Sequence, residues 1–293
     1  MINITFLLLN LFLIAISTSG DNTGSALRRR LYDGEPSSEN QYNDPITTTS
    51  ENKGRPKMHT FFTPVSSNPD TSLLDAWKKA WSDAGWEPVV LSLEDARRHP
   101  DYRRFIEAFE AAEYRLKDYD RMCFLRWLAM AMSGGGWMSD YDTFPIFSQP
   151  EIDGHNLPND GKFTCYSRHV PNIVSGSEEE WHRMSQLLFF SYKLHPDIFW
   201  SDMLALLEVH DYIDGYVYQK DSISLEKVYI SELQGEGIQR PLALGKKCDL
   251  LKGMRAIHFS HADCHIVGFC DKDRSKAESW IDAWKEKCNI RNA

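Results

Sequence analysis

Between Arg126 and Asp142 the chain reads Arg-Trp-Leu-Ala-Met-Ala-Met-Ser-Gly-Gly-Gly-Trp-Met-Ser-Asp-Tyr-Asp, a sequence with few ways to fold. Its first part extends an apolar helix from about Arg121 to Ser133, carrying Cys123, Phe124, Trp127, Leu128, Met130, Ala131 and Met132. A helix apolar nearly all round belongs in the middle of a domain. Three glycines then break it. They widen the choice of φ and carry no side chains, so that a ligand can approach the backbone at Gly135 and Gly136. A short extended segment follows and ends in Asp140 and Asp142 at alternate positions. In a strand, residues i and i+2 share a face, so these carboxylates converge on one ligand. Two hard oxygen donors suit Mg²⁺ or Mn²⁺.

The flanking sequence predicts the scaffold. Met58 to Val65 reads as a strand and Ser72 to Ala84 as a helix with Leu73, Leu74, Trp77, Ala80, Trp81 and Ala84 at helical spacing, closed by Gly85. Glu87 to Leu93 is a second strand, so the opening fits a βαβ unit in a parallel sheet with a right-handed crossover. Helical patterns follow at Leu93 to Arg98 and Tyr102 to Leu116. Beyond the glycines come a strand at Lys162 to Ser167 and helices at Glu179 to Tyr192 and Phe199 to His210. Short strands are expected at Val228 to Ile230 and Arg255 to Phe259, and a last helix at Lys276 to Lys287. The expectation is an α/β fold, one Rossmann-like domain over residues 57–293 with a mixed central sheet flanked by helices.

Residues 1–20 hold an apolar run from Phe6 to Ile16 interrupted only by Asn10, followed by Ser17, Ser19 and Gly20. That is short of the roughly 20 apolar residues of a bilayer span and reads as a signal peptide, with a short uncleaved anchor as the competing reading. Residues 21–56 are rich in Ser, Thr, Asn and Gly and read as a disordered stem. The leader implies the secretory pathway, with membrane contact only through this N-terminal segment if it stays uncleaved. In such a compartment Cys264 can pair with Cys270 and Cys248 with Cys288, while Cys123 reads as a buried free thiol. The net charge of -9 and the lack of a basic stripe after Met58 argue against nucleic acid as a partner.

The central stretch resembles the GT-A, sugar-nucleotide-dependent glycosyltransferases, in particular the D-x-D sugar-binding group that includes the yeast-type α-mannosyltransferases. The matching pattern is Arg-aromatic at Arg126 and Trp127, a helix, the glycines, an aromatic at Trp137, then Asp140 and Asp142. The chain departs from it at Cys123, where the group has an acid, and in a glycine turn one residue longer. The resemblance implies a divalent-metal-dependent transfer of a sugar from a nucleoside-diphosphate sugar to a glycan, glycolipid or other hydroxyl acceptor, with retention at the anomeric carbon, in the Golgi lumen. It implies Asp142 as a direct metal ligand and Asp140 on ribose or a metal-bound water. Thr63 and Pro64 would contact the nucleoside, and Arg126, Trp127, Gly135 and Gly136 would face the donor. Many such enzymes add a late-strand His, for which His258 is preferred to His261.

Three assignments stay open at the level of sequence. Arg126 either reaches phosphate or sugar or makes a structural ion pair with Asp140. Asp202 is either a catalytic-site carboxylate or a helix cap. The polar segment Pro171 to Ser177 reads as a loop that admits acceptor. Two rival functions are a haloacid-dehalogenase-type phosphatase and a non-catalytic secreted binding protein of the same fold. The first needs an apolar strand before the first Asp and Thr or Val two residues after the second. Gly136 to Ser139 is a poor strand by composition, and Phe144 holds the second position.

Overall fold

The computed structural model describes residues 54–64, 69–146, 154–213, 215–220, 222–224, 248–251, 253–261 and 271–288. The leader, most of the stem, the strand expected at Val228 to Ile230 and the Cys264–Cys270 pairing lie outside these residues. Among the described residues no helix is long and apolar enough to cross a membrane.

Strand β1 (Lys57–Phe61) buries Met58, His59 and Thr60 in succession, the mark of a strand covered on both faces. Helix α1 (Ser72–Asp83) follows, burying Leu73, Leu74, Trp77, Ala80 and Trp81, and the chain turns at Gly85 with a φ of 92°. Strand β2 (Glu87–Leu91) then lies parallel to β1, with Lys57 opposite Glu87 and Phe61 opposite Leu91. The parallel βαβ opening is as expected.

Helices α2 (Leu93–Arg97), α3 (Tyr102–Ala111) and α4 (Asp118–Met132) lead to strand β3 (Gly136–Ser139), parallel to β1 on its other side. Short strands β4 (Thr143–Pro145) and β5 (Thr164–Cys165) come next. They are followed by β6 (Ile173–Gly176), helix α5 (Glu178–Leu194), helix α6 (Asp202–Ile213) and strands β7 (Val217–Tyr218) and β8 (Ser222–Ser224). Helix α7 (Cys248–Leu251), strand β9 (Ala256–His258), a 3-10 turn at Asp271–Lys276 and helix α8 (Ala277–Lys287) complete the order. The main sheet has six strands in the order β2-β1-β3-β6-β5-β7, and β4-β9-β8 form a second sheet. Direction reverses between β3 and β6, so the fold is mixed α/β, a six-stranded mixed sheet flanked by helices.

The core is unusually rich in tryptophan. Trp77, Trp81, Trp86 and Trp137 pack with Met58 and Tyr166 in one cluster, and Trp127, Phe163 and Trp181 in another. Each such ring removes about 150–250 Å² from water and carries its own geometric preference. Cys248 and Cys288 are joined, tying α7 to the end of α8, while Cys123 and Cys165 are free thiols.

Several expectations need correction. The short extended segment expected after the glycines is present as β3, and only its poor strand composition misled, because burial between β1 and β6 outweighs local preference. The acceptor loop expected at Pro171 to Ser177 contains β6, whose four residues are all buried. The helix expected to Leu116 stops at Ala111, since Ala112 turns extended and the Tyr114 N–H donates instead to the Pro196 carbonyl. Cys123 is only half-buried.

Candidate active site

Asp140 and Asp142 do not lie on a strand. β3 ends at Ser139, and residues 140–143 form a turn closed by the Thr143 N–H donating to the Asp140 carbonyl at 2.9 Å. Convergence therefore comes from the turn and from the second sheet, not from the two-residue period of a strand. The turn is anchored at several points. The Asp140 N–H donates to the Asn172 carbonyl at 2.9 Å, and the Phe259 N–H donates to the Asp142 carbonyl at 2.8 Å. Helix α1 fastens both ends, with the Trp77 indole donating to Ser139 Oγ at 2.9 Å and the Trp81 indole to the Thr143 carbonyl at 3.0 Å.

His258 ends β9 and stands opposite Thr143 in the antiparallel β4–β9 pair. Its Nε2 lies 3.2 Å from Asp142 Oδ1 and 3.9 Å from Asp140 Oδ2. One ligand atom from each of Asp140, Asp142 and His258 falls within 4.8 Å of the others, so the three could hold one metal ion. Donor atoms about 2.1 Å from an octahedral ion stand about 3–4 Å apart, so the spacing fits, and the oxygen-rich set suits Mg²⁺ or Mn²⁺. His261, the other imidazole considered, is exposed and stands outside this group.

Arg126 rises from α4 and is almost wholly buried. Its Nη1 donates to Asp140 Oδ1 at 2.5 Å, while Nε and Nη2 both donate to Asp202 Oδ2, at 3.1 and 2.5 Å. Asp202 is 2% exposed and also accepts from the Trp127 indole at 3.2 Å. The cap of α6 is Ser201, whose Oγ accepts from the Leu204 N–H at 3.3 Å, so the cap reading of Asp202 is replaced by an inward ion pair. Trp127 stays in the aromatic core and reaches the site only through that carboxylate.

The electrostatics separate the two turn acids. Burial raises the Asp140 carboxyl above its ordinary value, with Arg126 opposing and Asp142 reinforcing the shift. Burial also acts on Asp142, but His258 and Arg274 outweigh it and hold that carboxyl low. Burial and the Asp142 charge push the Tyr141 phenol up to about 12, and its ring meets Phe62 edge-on at 5.7 Å. Arg274, from the 3-10 turn before α8, reaches Asp142 Oδ2 at 3.0 Å through Nη1. Sequence reasoning missed it. The run Asp271-Lys272-Asp273-Arg274 looks like a solvated helix start, and no spacing rule connects it to a turn more than a hundred residues earlier.

The remaining expected contacts are not gathered here. Gly134, Gly135 and Gly136 all have positive φ and close the end of α4, with the Gly135 N–H returning to the Met130 carbonyl at 3.2 Å. A Cβ on Gly135 would stand 2.6 Å from the Glu178 nitrogen, so what approaches that backbone is the start of α5. Both Gly135 and Gly136 sit at the opposite end of β3 from the carboxylates. Thr63 Oγ1 accepts from the Leu93 N–H at 2.9 Å and so fastens the end of β1 to α2, while Pro64 is exposed. Cys123, one turn before Arg126, has its thiol pushed up by burial and by the Asp202 charge.

A family model described as a domain of unknown function, DUF8765, matches residues 50–156, which include α4, β3 and the two turn acids. No curated protein sequence matches the chain. Among solved structures, a glycosyltransferase involved in the glycosylation of the major capsid of PBCV-1 is similar at 10% identity and a TM-score of 0.41. That similarity covers 76% of this chain and 98% of that one.

Proposed function

We propose that the chain is a divalent-metal-dependent glycosyltransferase of the GT-A type, with residues 57–293 as its catalytic domain. The observation that carries this reading is the convergence of Asp140, Asp142 and His258 at the junction of two sheets, the carboxylates following an Arg-aromatic helix and a glycine turn. The donor would be a nucleoside-diphosphate sugar and the acceptor a hydroxyl of a glycan or glycolipid, with retention at the anomeric carbon. A divalent cation in that group would supply charge stabilisation for the leaving nucleoside diphosphate.

The protein's own residues do the rest. Asp140, Asp142 and His258 would hold the ion, and Arg126 orients Asp140 from behind while Asp202 keeps Arg126 in place. Tyr141 and Phe62, half-buried beside the turn and packed edge to face, would offer the nearest aromatic surface to a base or sugar ring. The N-terminal leader would direct the domain to the Golgi lumen.

The test is a panel of nucleotide sugars with Mn²⁺, reading nucleoside diphosphate release for the wild type and for Asp142→Ala. Release that EDTA and Asp142→Ala both abolish supports the reading, and release indifferent to both would sink it. Mn²⁺ binding without turnover on any donor would favour a non-catalytic binding protein, for which Cys123 at the group's acid position is the motivating residue. Phosphate release from simple monoesters would favour a phosphatase.

A further inference from the structure

Tyr119, Cys123 and Arg126 stand at positions i, i+4 and i+7 of helix α4, on one narrow face of it. Arg126 meets Asp140, which directly follows β3, so α4 and β3 run in opposite directions. The first turn of α4 therefore lies beyond the acids, outside the carboxyl ends of β1 and β3, where open α/β sheets take their ligands. Seven residues of helix place Tyr119 about 10 Å further out along the axis than Arg126.

Tyr119 is 70% exposed, the most open large apolar side chain among the described residues. Its hydroxyl nevertheless feels the site. The Cys123 thiol, burial of the hydroxyl end and the charges of Asp140 and Asp142 push the phenol up, against the pull of Arg126. The group stays a neutral O–H donor with a bare ring behind it. That ring adds nothing to the core, which α4 serves through Phe124, Trp127 and Leu128, all fully buried. Tyrosine is also only a middling helix former.

An aromatic face with a neutral hydroxyl at its edge suits a sugar ring, whose C–H face packs on the aromatic while its own hydroxyls exchange hydrogen bonds. It offers no charge to a phosphate or carboxylate. Position along the helix decides which sugar. The sugar of a nucleotide donor is one bond from the diphosphate and so lies against the metal group. A ring seated on Tyr119 lies further out, on the side from which an acceptor enters.

Resting on the glycosyltransferase reading above, we propose that the acceptor is a neutral sugar residue and that Tyr119 is the platform on which it sits. The residue binds the ring and turns one of its hydroxyls toward the metal group.

The experiment is saturation-transfer NMR of the full chain with Mg²⁺ and a titrated panel of neutral methyl glycosides (α-mannoside, α-glucoside and β-galactoside). The wild type, Tyr119→Ala and Tyr119→Phe are compared, with circular dichroism reporting the fold of each. Tyr212→Ala, an exposed ring at the end of α6 away from Asp202, is the control. At least one glycoside is expected to bind the wild type, about tenfold more weakly in Tyr119→Ala, and within about threefold in Tyr119→Phe, which keeps the ring. Tyr212→Ala should match the wild type. Absence of glycoside binding to the wild type at millimolar concentration, an unchanged affinity in Tyr119→Ala or an equal loss in Tyr212→Ala would overturn the assignment. So would a Tyr119→Ala loss confined to nucleotide sugars. Nucleoside diphosphate release is read beside it: release without glycoside binding overturns the platform alone. Glycoside binding that needs Tyr119, without release from any donor, supports the platform and sinks the transferase reading.

Discussion

Changing Asp202 to asparagine probes the pair that holds the site from behind. The substitution preserves size and one oxygen acceptor but removes the charge that faces Arg126 Nε and Nη2 and the Trp127 indole. Removing one partner of a buried ion pair costs about 3–5 kcal/mol, because the remaining charge is left in a poor solvent. Here Asp140 still pairs with Arg126 and is 26% exposed, so the lower end applies, about 3 kcal/mol. For a domain of this size that corresponds to a melting temperature lower by about 6–12 °C. Freed from Asp202, the guanidinium draws wholly on Asp140, and Mn²⁺ binding should weaken in parallel. The double variant Arg126→Met with Asp202→Leu removes both charges and should recover much of the lost stability, since apolar replacements of buried pairs are often neutral. Thermal and urea unfolding of the wild type, Arg126→Met, Asp202→Leu and the double variant gives the cycle, with Asp202→Asn measured beside it. A loss below about 1 kcal/mol in Asp202→Asn, or a double variant equal to the sum of the singles, would refute the reasoning.

Three further outcomes follow from the same packing. The Trp77→Phe change removes the indole donor to Ser139 Oγ, leaving a buried hydroxyl short of a partner. It should cost about 1–3 kcal/mol in urea unfolding and loosen Mn²⁺ binding, and unchanged metal affinity would show that α1 does not position the turn. Burial holds the His59 imidazole below its ordinary value of 6.5, and its Nδ1–H donates to the Trp137 carbonyl at 2.9 Å. The unfolded chain takes up that proton first, so stability is fully present above pH 6.5 and falls as pH drops through the lowered folded value. The His59→Gln change should flatten stability measured across pH 5–7, leaving the slope due to His99, which burial also lowers; an undiminished slope would count against it. Finally, Cys248 and Cys288 close a loop of 40 residues in sequence separation. The Cys248→Ser, Cys288→Ser variant should lose about 4 kcal/mol if loop entropy dominates, and a change under about 1 kcal/mol would contradict that.

The local grammar of this chain was legible to different depths. Helix α1 declared itself because Leu73, Leu74, Trp77, Ala80 and Trp81 repeat at helical spacing and Gly85 ends the run. Helix α4 declared itself by being apolar nearly all round. The parallel βαβ opening followed from their spacing. Strand β6 was harder to see, since a four-residue strand is made by its neighbours more than by its own residues. The Pro171 to Ser177 segment has the composition of a loop, yet Ile173 to Gly176 is buried between β3 and β5.

What the sequence alone determined was the apolar helix, the glycine break and the pair of acids beyond it, because chain connectivity places them next to one another. His258 is preferred to His261 on its strand-end pattern alone, but only the β4–β9 pairing, which sets it opposite Thr143, brings it to the two acids. The rest was decided only by tertiary structure. Asp202 lies 76 residues from Arg126 in sequence and Arg274 lies 132 from Asp142, and no local periodicity links charges over such separations. Burial makes the difference. Once packing removes water from around Arg126 and Asp142, each charge must find a partner, and the fold supplies the ones that the linear order conceals.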